Sequence, residues 1–280
     1  MAMLSGKVSH SSRAGLVTCG YPTTAVLTHV KVVLITGCSS GIGLATTKAC
    51  LDAKAQVFGC DVQKPPAELS GLLGFSFQTC DVSKQADISA TVEACAKAFN
   101  GRIDVLLNVA GISDRLGSVD SLDDEEYDRV VAVDLTGPIK LMRAVIPYMR
   151  AQQSGSIVNI SSRAGLGGGV AGIGATKNVA WRFHQEGIRC NAICPGGVRT
   201  NITNAITEGI DVDAFQNSRA VLNVHFNPQS TGTLDGQDGP IATGPIDPKE
   251  VANVLVFLAS DLSSAINGAV VPVDKAWSAA

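Results

Sequence analysis

The sequence predicts a single α/β domain, a doubly wound parallel sheet of about seven strands covered by helices on both faces. Three observations carry this. From Lys31 onward, short β-branched runs alternate with stretches whose apolar residues recur at helical spacing, and such alternation implies parallel strands joined by crossover helices. A glycine-rich turn, Thr36-Gly37-Cys38-Ser39-Ser40-Gly41-Ile42-Gly43, joins the first strand to the first helix. The composition, 45% hydrophobic and 17% charged over 280 residues, is that of a globular chain able to bury one large core.

In order, the expected strands are Val32–Thr36, Gln56–Cys60, Gly74–Cys80, Ile103–Asn108, Ser156–Ser161, Ile188–Cys194 and Ala269–Val273. Each is a short run rich in Val, Ile, Leu, Phe or Cys, bounded by Gly, Asp, Asn or Pro. The expected helices are Ile42–Ala53, Lys84–Phe99, Leu122–Arg150, Ile173–Glu186 and Pro248–Ser260. Residues 201–245 break the pattern: Gly, Pro, Asn and Gln punctuate them and periodicity is weak. A loop of that length inside a domain is usually functional, and this one reads as a lid over a substrate.

Residues 1–30 read as a separate leader or insert, and 31–280 as the domain. No Asp or Glu precedes Asp52, and a Ser-, Thr- and Arg-containing start without acids resembles a mitochondrial transit segment. Alternatively, Leu4-Ser5-Gly6-Lys7 would lead directly into Val32-Val33-Leu34-Ile35-Thr36 if the 24 residues Val8–Lys31 were removed, as expected of translated intron; a real accessory segment is the third reading. The formal charge of -3 offers no basic face, so nucleic acid is not an expected partner. No apolar run approaches the length of a spanning helix. The eight cysteines are scattered with no CxxC pair, as expected of free thiols in the reducing cytosol rather than of disulfides or a metal site.

The glycine turn is where chemistry first becomes legible. Gly37 permits a sharp turn, Gly41 lets backbone approach a pyrophosphate, and Gly43 lets helix pack on strand. Ser39, Ser40 and Ile42 complete the helix entry, whose free N–H groups and positive dipole end face the phosphates. Asp61 follows at the end of the second strand, 24 residues after Gly37. A carboxylate there accepts both ribose hydroxyls of NAD and repels the 2′-phosphate of NADP. Neither Cys38 nor Val62 supplies a cation for that phosphate, so NAD is expected and NADP is the weaker alternative. Asp81 and Val82, after the third strand, are placed to meet the adenine ring. Asn108, Ala110 and Gly111 end the fourth strand, where small residues let a cofactor pass close to backbone.

In this order, the residues resemble the short-chain dehydrogenase/reductase family. The marks are the Thr36–Gly43 loop, Asp61, Asp81, Asn108–Gly111, Asn159-Ile160-Ser161-Ser162 and Pro195-Gly196, and the resemblance runs from Lys31 to the C-terminus, where Ala276 stands in place of a common Gly. It implies a Rossmann fold that moves hydride between NAD(P) and an alcohol or ketone, in dimers or tetramers. The chain is also similar to fungal dehydrogenases that oxidise hydroxyl groups on terpenoid or polyketide-derived metabolites. With the family's roles carried over, Ser162 matches the serine that polarises the substrate oxygen. Asp134, in Val133-Asp134-Leu135-Thr136-Gly137, stands at the proton-relay position where Asn is usual. Val198 and Thr200 resemble the residues that hold the nicotinamide carboxamide. Lys140 is a further cofactor candidate, with an exposed helix lysine as the plainer reading.

The family's chemistry also needs a Tyr acid/base and a Lys that lowers its pKa, because a phenol near pKa 10 is inert at neutral pH without such help. This Tyr-xxx-Lys pair is missing. Ile173-Gly-Ala-Thr-Lys177 imitates it, but Lys177 precedes Ile188 by only 11 residues and Gly172 follows Ser162 by only 10, both shorter than the family's spacing. About ten residues, both catalytic groups included, are therefore absent between Gly172 and Ile173. The helix that remains, Ile173–Glu186, has only about four turns, which predicts a fragile dimer and little hydride transfer. The substrate expected is a bulky hydrophobic alcohol or ketone, because the lid contains Phe215, Val221, Leu222, Val224 and Phe226.

Overall fold

The computed structural model describes residues 31–115, 122–163, 170–202, 245–276 and 278. The segment 1–30 and nearly all of the expected lid, with its five apolar residues, lie outside the described residues. Seven parallel strands form one sheet in the order β3-β2-β1-β4-β5-β6-β7. They are β1 (Val32–Thr36), β2 (Gln56–Asp61), β3 (Phe75–Thr79), β4 (Val105–Asn108), β5 (Gly155–Ile160), β6 (Ile188–Pro195) and β7 (Val270–Val273). The helices are α1 (Gly41–Asp52), α2 (Gln85–Ala98), α3 (Asp124–Val131), α4 (Gly137–Gln152), α5 (Val170–Phe183) and α6 (Pro248–Ala259).

Strand periodicity places the two cores. Val32 and Leu34 of β1 pack on one face with Phe58, Leu106, Ile157 and residues of α2, α4 and α5. Val33 and Ile35 pack on the other with Val57, Leu107, Val158 and residues of α1 and α6. All five β1 residues are buried, as expected of a central parallel strand covered on both sides. The sheet grows in one direction from β1 to β2 and β3, and in the other from β4 onward. This reversal opens a crevice at the carboxyl ends of β1 and β4, where open α/β sheets bind ligands.

Helix capping follows the sequence at α6, where Asp247 accepts from Lys249 N–H and Glu250 returns to Asp247 N–H, with Pro248 in the first turn. The expected single helix Leu122–Arg150 is corrected. The structure divides it into α3, a wider π-helical turn at Ala132–Thr136, and α4. Pro138 carries no N–H for the i→i−4 ladder, and Gly137 packs so tightly that a Cβ there would lie 2.8 Å from Val82 O. Both features act at the junction, and a π-bulge inside a helix is frequent at functional sites. The expected helix Ile173–Glu186 begins earlier, at Val170, and its last turn tightens into a 3-10 turn at His184–Glu186, a common helix ending.

Candidate active site

The loop after β1 is built by close approach. Gly37 has φ +68, and a Cβ there would meet Ala110 Cα at 2.8 Å. A Cβ on Gly43 would interpenetrate the Gly37 carbonyl oxygen, so helix and loop contact only because both residues lack one. Thr36 Oγ1 accepts from Val109 and Ala110 N–H, each at 3.0 Å, and ties the end of β4 to the end of β1. At the α1 N-terminus, Ser40 is extended and makes no side-chain capping bond. The first-turn N–H groups are thus not claimed by a cap, an arrangement suited to a phosphate.

Asp61 lies beside this loop. Its Oδ2 accepts Ser39 N–H and its Oδ1 accepts Gln63 N–H, both at 3.0 Å, while Ser39 Oγ donates to Gln63 O at 3.0 Å. The carboxylate holds the loop and keeps lone pairs for further donors. Asp81 Oδ1 accepts from Ser83 N–H and Ser83 Oγ, and its Oδ2 pairs with Lys84 at 3.2 Å. The Ser83 hydroxyl, with help from Lys84, holds the Asp81 carboxyl below its usual range. Val82 is buried.

An amide relay links the next layer. Asn108 Nδ2 donates to Asn159 Oδ1 at 2.7 Å, and Asn159 Nδ2 donates to Thr176 Oγ1 at 2.9 Å. Thr176 Oγ1 in turn donates to Gly172 O at 3.1 Å. Ends of β4, β5 and α5 are thereby joined, and Asn108 Oδ1 finds no partner among the described residues. Thr176 carries no signal in the sequence: a lone Thr on an apolar helix face becomes meaningful only once Asn159 is placed opposite.

A cleft of about 530 Å³ opens between these strand ends. It gathers Ile42, Ala110, Gly111, Asp134, Ser162, Val198 and Thr200 of the expected residues, among apolar walls that include Ile112, Leu135, Ile139 and Met142. Gly37, Ser39, Ser40, Gly41, Gly43, Asp61, Asp81, Val82 and Asn108 do not line it. They belong to the adjoining strand ends, the loop between β1 and α1, and the first turn of α1. Gly41 joins the two regions, since a Cβ there would meet Thr200 Cγ2 at 3.0 Å. Val198 bridges to Ile246, which anchors the loop after β6. Lys140 is half-buried on α4 and does not line the cleft.

Asp134 projects from the π-helical turn, and its Oδ1 accepts Ile112 N–H at 3.0 Å. Its surface is open to the cleft, yet the protein mass around that concavity removes solvent. Desolvation pushes its carboxyl up from 3.8 to about 6, against the Ile112 hydrogen bond and the Arg129 charge, with Asp114 adding a smaller push upward. The folded chain therefore holds this proton more tightly than the unfolded chain, and its stabilising effect is present below pH 4 and is lost as pH rises toward about 6. Asp134→Asn is expected to unfold at a higher temperature than the parent at pH 8 and at the same temperature near pH 4; a parallel pair of melting profiles would contradict this.

No tyrosine or lysine lines the cleft among the described residues. Tyr127 on α3 is 53% exposed, Tyr148 on α4 packs against the core, and Lys177 on α5 is exposed. Tyr21 lies outside the described residues. Burial pushes the thiols of Cys38, Cys50, Cys95 and Cys190 up to about 12, so they are inert as nucleophiles at neutral pH. No group of three or more His, Cys, Asp or Glu able to hold a metal occurs among the described residues.

A family model described as short chain dehydrogenase matches residues 31–211. The chain is 49% identical over 258 residues to the short-chain dehydrogenase/reductase cdmF of Talaromyces verruculosus, covering 88% of this chain and 96% of that one. It is 45% identical over 262 residues to the asnovolin H dehydrogenase nvfC of Aspergillus novofumigatus, covering 89% and 98%. Since 88% of 280 residues is about 246, roughly a dozen of the 258 positions aligned with cdmF have no counterpart here. Among solved structures, levodione reductase superposes with a TM-score of 0.76 at 30% identity, covering 89% of this chain and 98% of that one. The 3-ketoacyl-(acyl-carrier-protein) reductase of Brucella melitensis, complexed with NADH, gives 0.70 at 25%, covering 88% and 97%. With the glycine turn, the strand order and these likenesses in agreement, the chain belongs to the short-chain dehydrogenase/reductase family of NAD(P)-dependent oxidoreductases.

Proposed function

We propose that this protein is an NAD-dependent dehydrogenase of the kind that interconverts a secondary alcohol and a ketone on a bulky, apolar terpenoid- or polyketide-type metabolite. The observation that carries the cofactor choice is Asp61, whose carboxylate sits at the end of β2 against the glycine loop. There it accepts ribose hydroxyls and repels a 2′-phosphate. The uncapped first turn of α1 takes the pyrophosphate, with Gly37, Gly41 and Gly43 supplying clearance and Ser39, Ser40 and Ile42 the loop backbone. Asp81 and Val82 flank the adenine. Asn108, Ala110 and Gly111 leave room for the nicotinamide half, and Val198 and Thr200 hold its carboxamide. When bound, the nicotinamide supplies the hydride acceptor or donor.

Ser162 polarises the substrate oxygen, and the apolar cleft walls bury the substrate's hydrocarbon. The metabolite class follows the resemblance to fungal dehydrogenases noted in the sequence, and the apolar cleft walls agree with it. Free described cysteines accord with a cytoplasmic setting. Among the described residues no helix is long and apolar enough to cross a membrane.

A second reading, a catalytically inactive NAD-binding variant, is favoured by one observation: no tyrosine or lysine lines the cleft among the described residues. The roughly dozen positions of cdmF without a counterpart here agree in size with the expected gap after Gly172. Both readings share the cradle, so titration calorimetry tests it first. NAD is expected to bind more tightly than NADP, and Asp61→Ala to weaken NAD about tenfold and erase the preference. A folded chain with no affinity for either cofactor would overturn both readings.

A further inference from the structure

Asp134 is the only ionisable side chain among the described residues that line the cleft. It faces the end of β4, where a Cβ on Gly111 would lie 3.6 Å from Asp134 Oδ1. On the reading above, the nicotinamide half of the cofactor passes that strand end. The nicotinamide ring is cationic in NAD⁺ and neutral in NADH, so the two forms differ by one unit of charge where this carboxyl stands. We propose that Asp134 couples the cleft's choice between NAD⁺ and NADH to pH: as a carboxylate it favours the cationic ring, and as a carboxylic acid it gives that preference up.

The surroundings make the coupling effective. The walls across from Asp134 contribute Asn159, Ser161, Ser162, Val198 and Thr200, none of which changes charge in the physiological range. The charged groups that act on it are Arg129 from α3 and Asp114 from the loop after β4. Arg129 favours the ionised form and Asp114 opposes it. With one side satisfied by Ile112 N–H, the carboxyl changes charge near pH 6 inside apolar walls, where a charge interaction is screened less than in water. By linkage, NAD⁺ draws the ionisation to lower pH, and conversion of the ring to its neutral form releases it upward. Asp134 then takes up a proton as the cofactor becomes reduced. An Asn at this position cannot do so. The inference rests on the cradle reading and concerns binding, so the absent Tyr-xxx-Lys pair does not bear on it.

The test is the affinity of the chain as it stands for NAD⁺ and for NADH between about pH 5 and pH 8, by calorimetry and by the fluorescence of bound NADH. The ratio of NADH to NAD⁺ dissociation constants is expected to rise about three- to tenfold over that range. Its midpoint is expected at or below about 6. Asp134→Asn keeps the shape and the acceptor for Ile112 N–H, and its ratio is expected to be flat. A constant ratio in the parent, or an equal rise in Asp134→Asn, overturns the proposal while leaving the cradle intact. Failure of both forms to bind overturns the cradle reading and this proposal with it.

Discussion

A segment of about ten residues carrying Tyr-xxx-Lys, inserted between Gly172 and Ile173, is expected to raise alcohol-dependent NAD reduction about a thousandfold or more over the chain as it stands. Hydride leaves an alcohol carbon readily only if the hydroxyl proton leaves with it, and a positioned base near its own pKa supplies that step. A serine hydroxyl such as that of Ser162 does not ionise at neutral pH. Asp134 is the only titrating group among the described cleft residues, and one hydrogen bond already holds it to Ile112. Gly172 and Ala175 line the cleft from the start of α5, so an insertion there delivers new side chains to the correct wall. It also lengthens α5, whose shortness predicts a fragile dimer, and size-exclusion chromatography is expected to show a firmer one. The measurement is initial rate of NADH formation with apolar secondary alcohols. Turnover by the unmodified chain at an ordinary dehydrogenase rate would sink this account.

Gly43→Ala is expected to cost about 3 kcal/mol or more of stability and to abolish NAD binding. The added Cβ would occupy the space of the Gly37 carbonyl oxygen, with Cys38 Cα also in contact. Neither atom is the end of a flexible side chain. Relief would require α1 to move away from β1, and α1 packs along α6 in the second core. Gly174→Ala is the control: nothing lies within 4 Å of its Cβ position on α5, and the change is expected to stabilise the helix by about 0.5–1 kcal/mol. Urea midpoints measured side by side decide the matter. Similar midpoints for the two variants would show that the close approach at Gly43 is not what holds the loop.

The seven strands were legible because parallel strands covered on both faces must be continuous apolar runs, and β1 to β7 fall within two residues of their expected ends. The glycine turn was legible because close backbone approach leaves a residue type as its trace. Asp61 was legible from its distance along the chain. The division between α3 and α4 was not, since Pro138 is compatible with a helix start as well as with a kink, and only the packing of Gly137 on Val82 O chooses between them. The Asn108–Asn159–Thr176 relay was equally hidden, because its members lie 51 and 17 residues apart and each is an ordinary polar residue in its own segment.

By itself, the sequence determined the order of strands and helices along the chain, the glycine turn after the first strand and the acid that ends the second, and it carries the expectation of a shortfall after Gly172, all of which are local patterns or counts along the chain. Tertiary structure alone decided that Asp134 stands as the single ionisable group among the described residues of a largely apolar cleft and holds its proton to about pH 6. The physical reason is that desolvation depends on everything surrounding a group in space, and residues as far along the chain as Ile112, Ser162 and Val198 become its surroundings only when the sheet has closed.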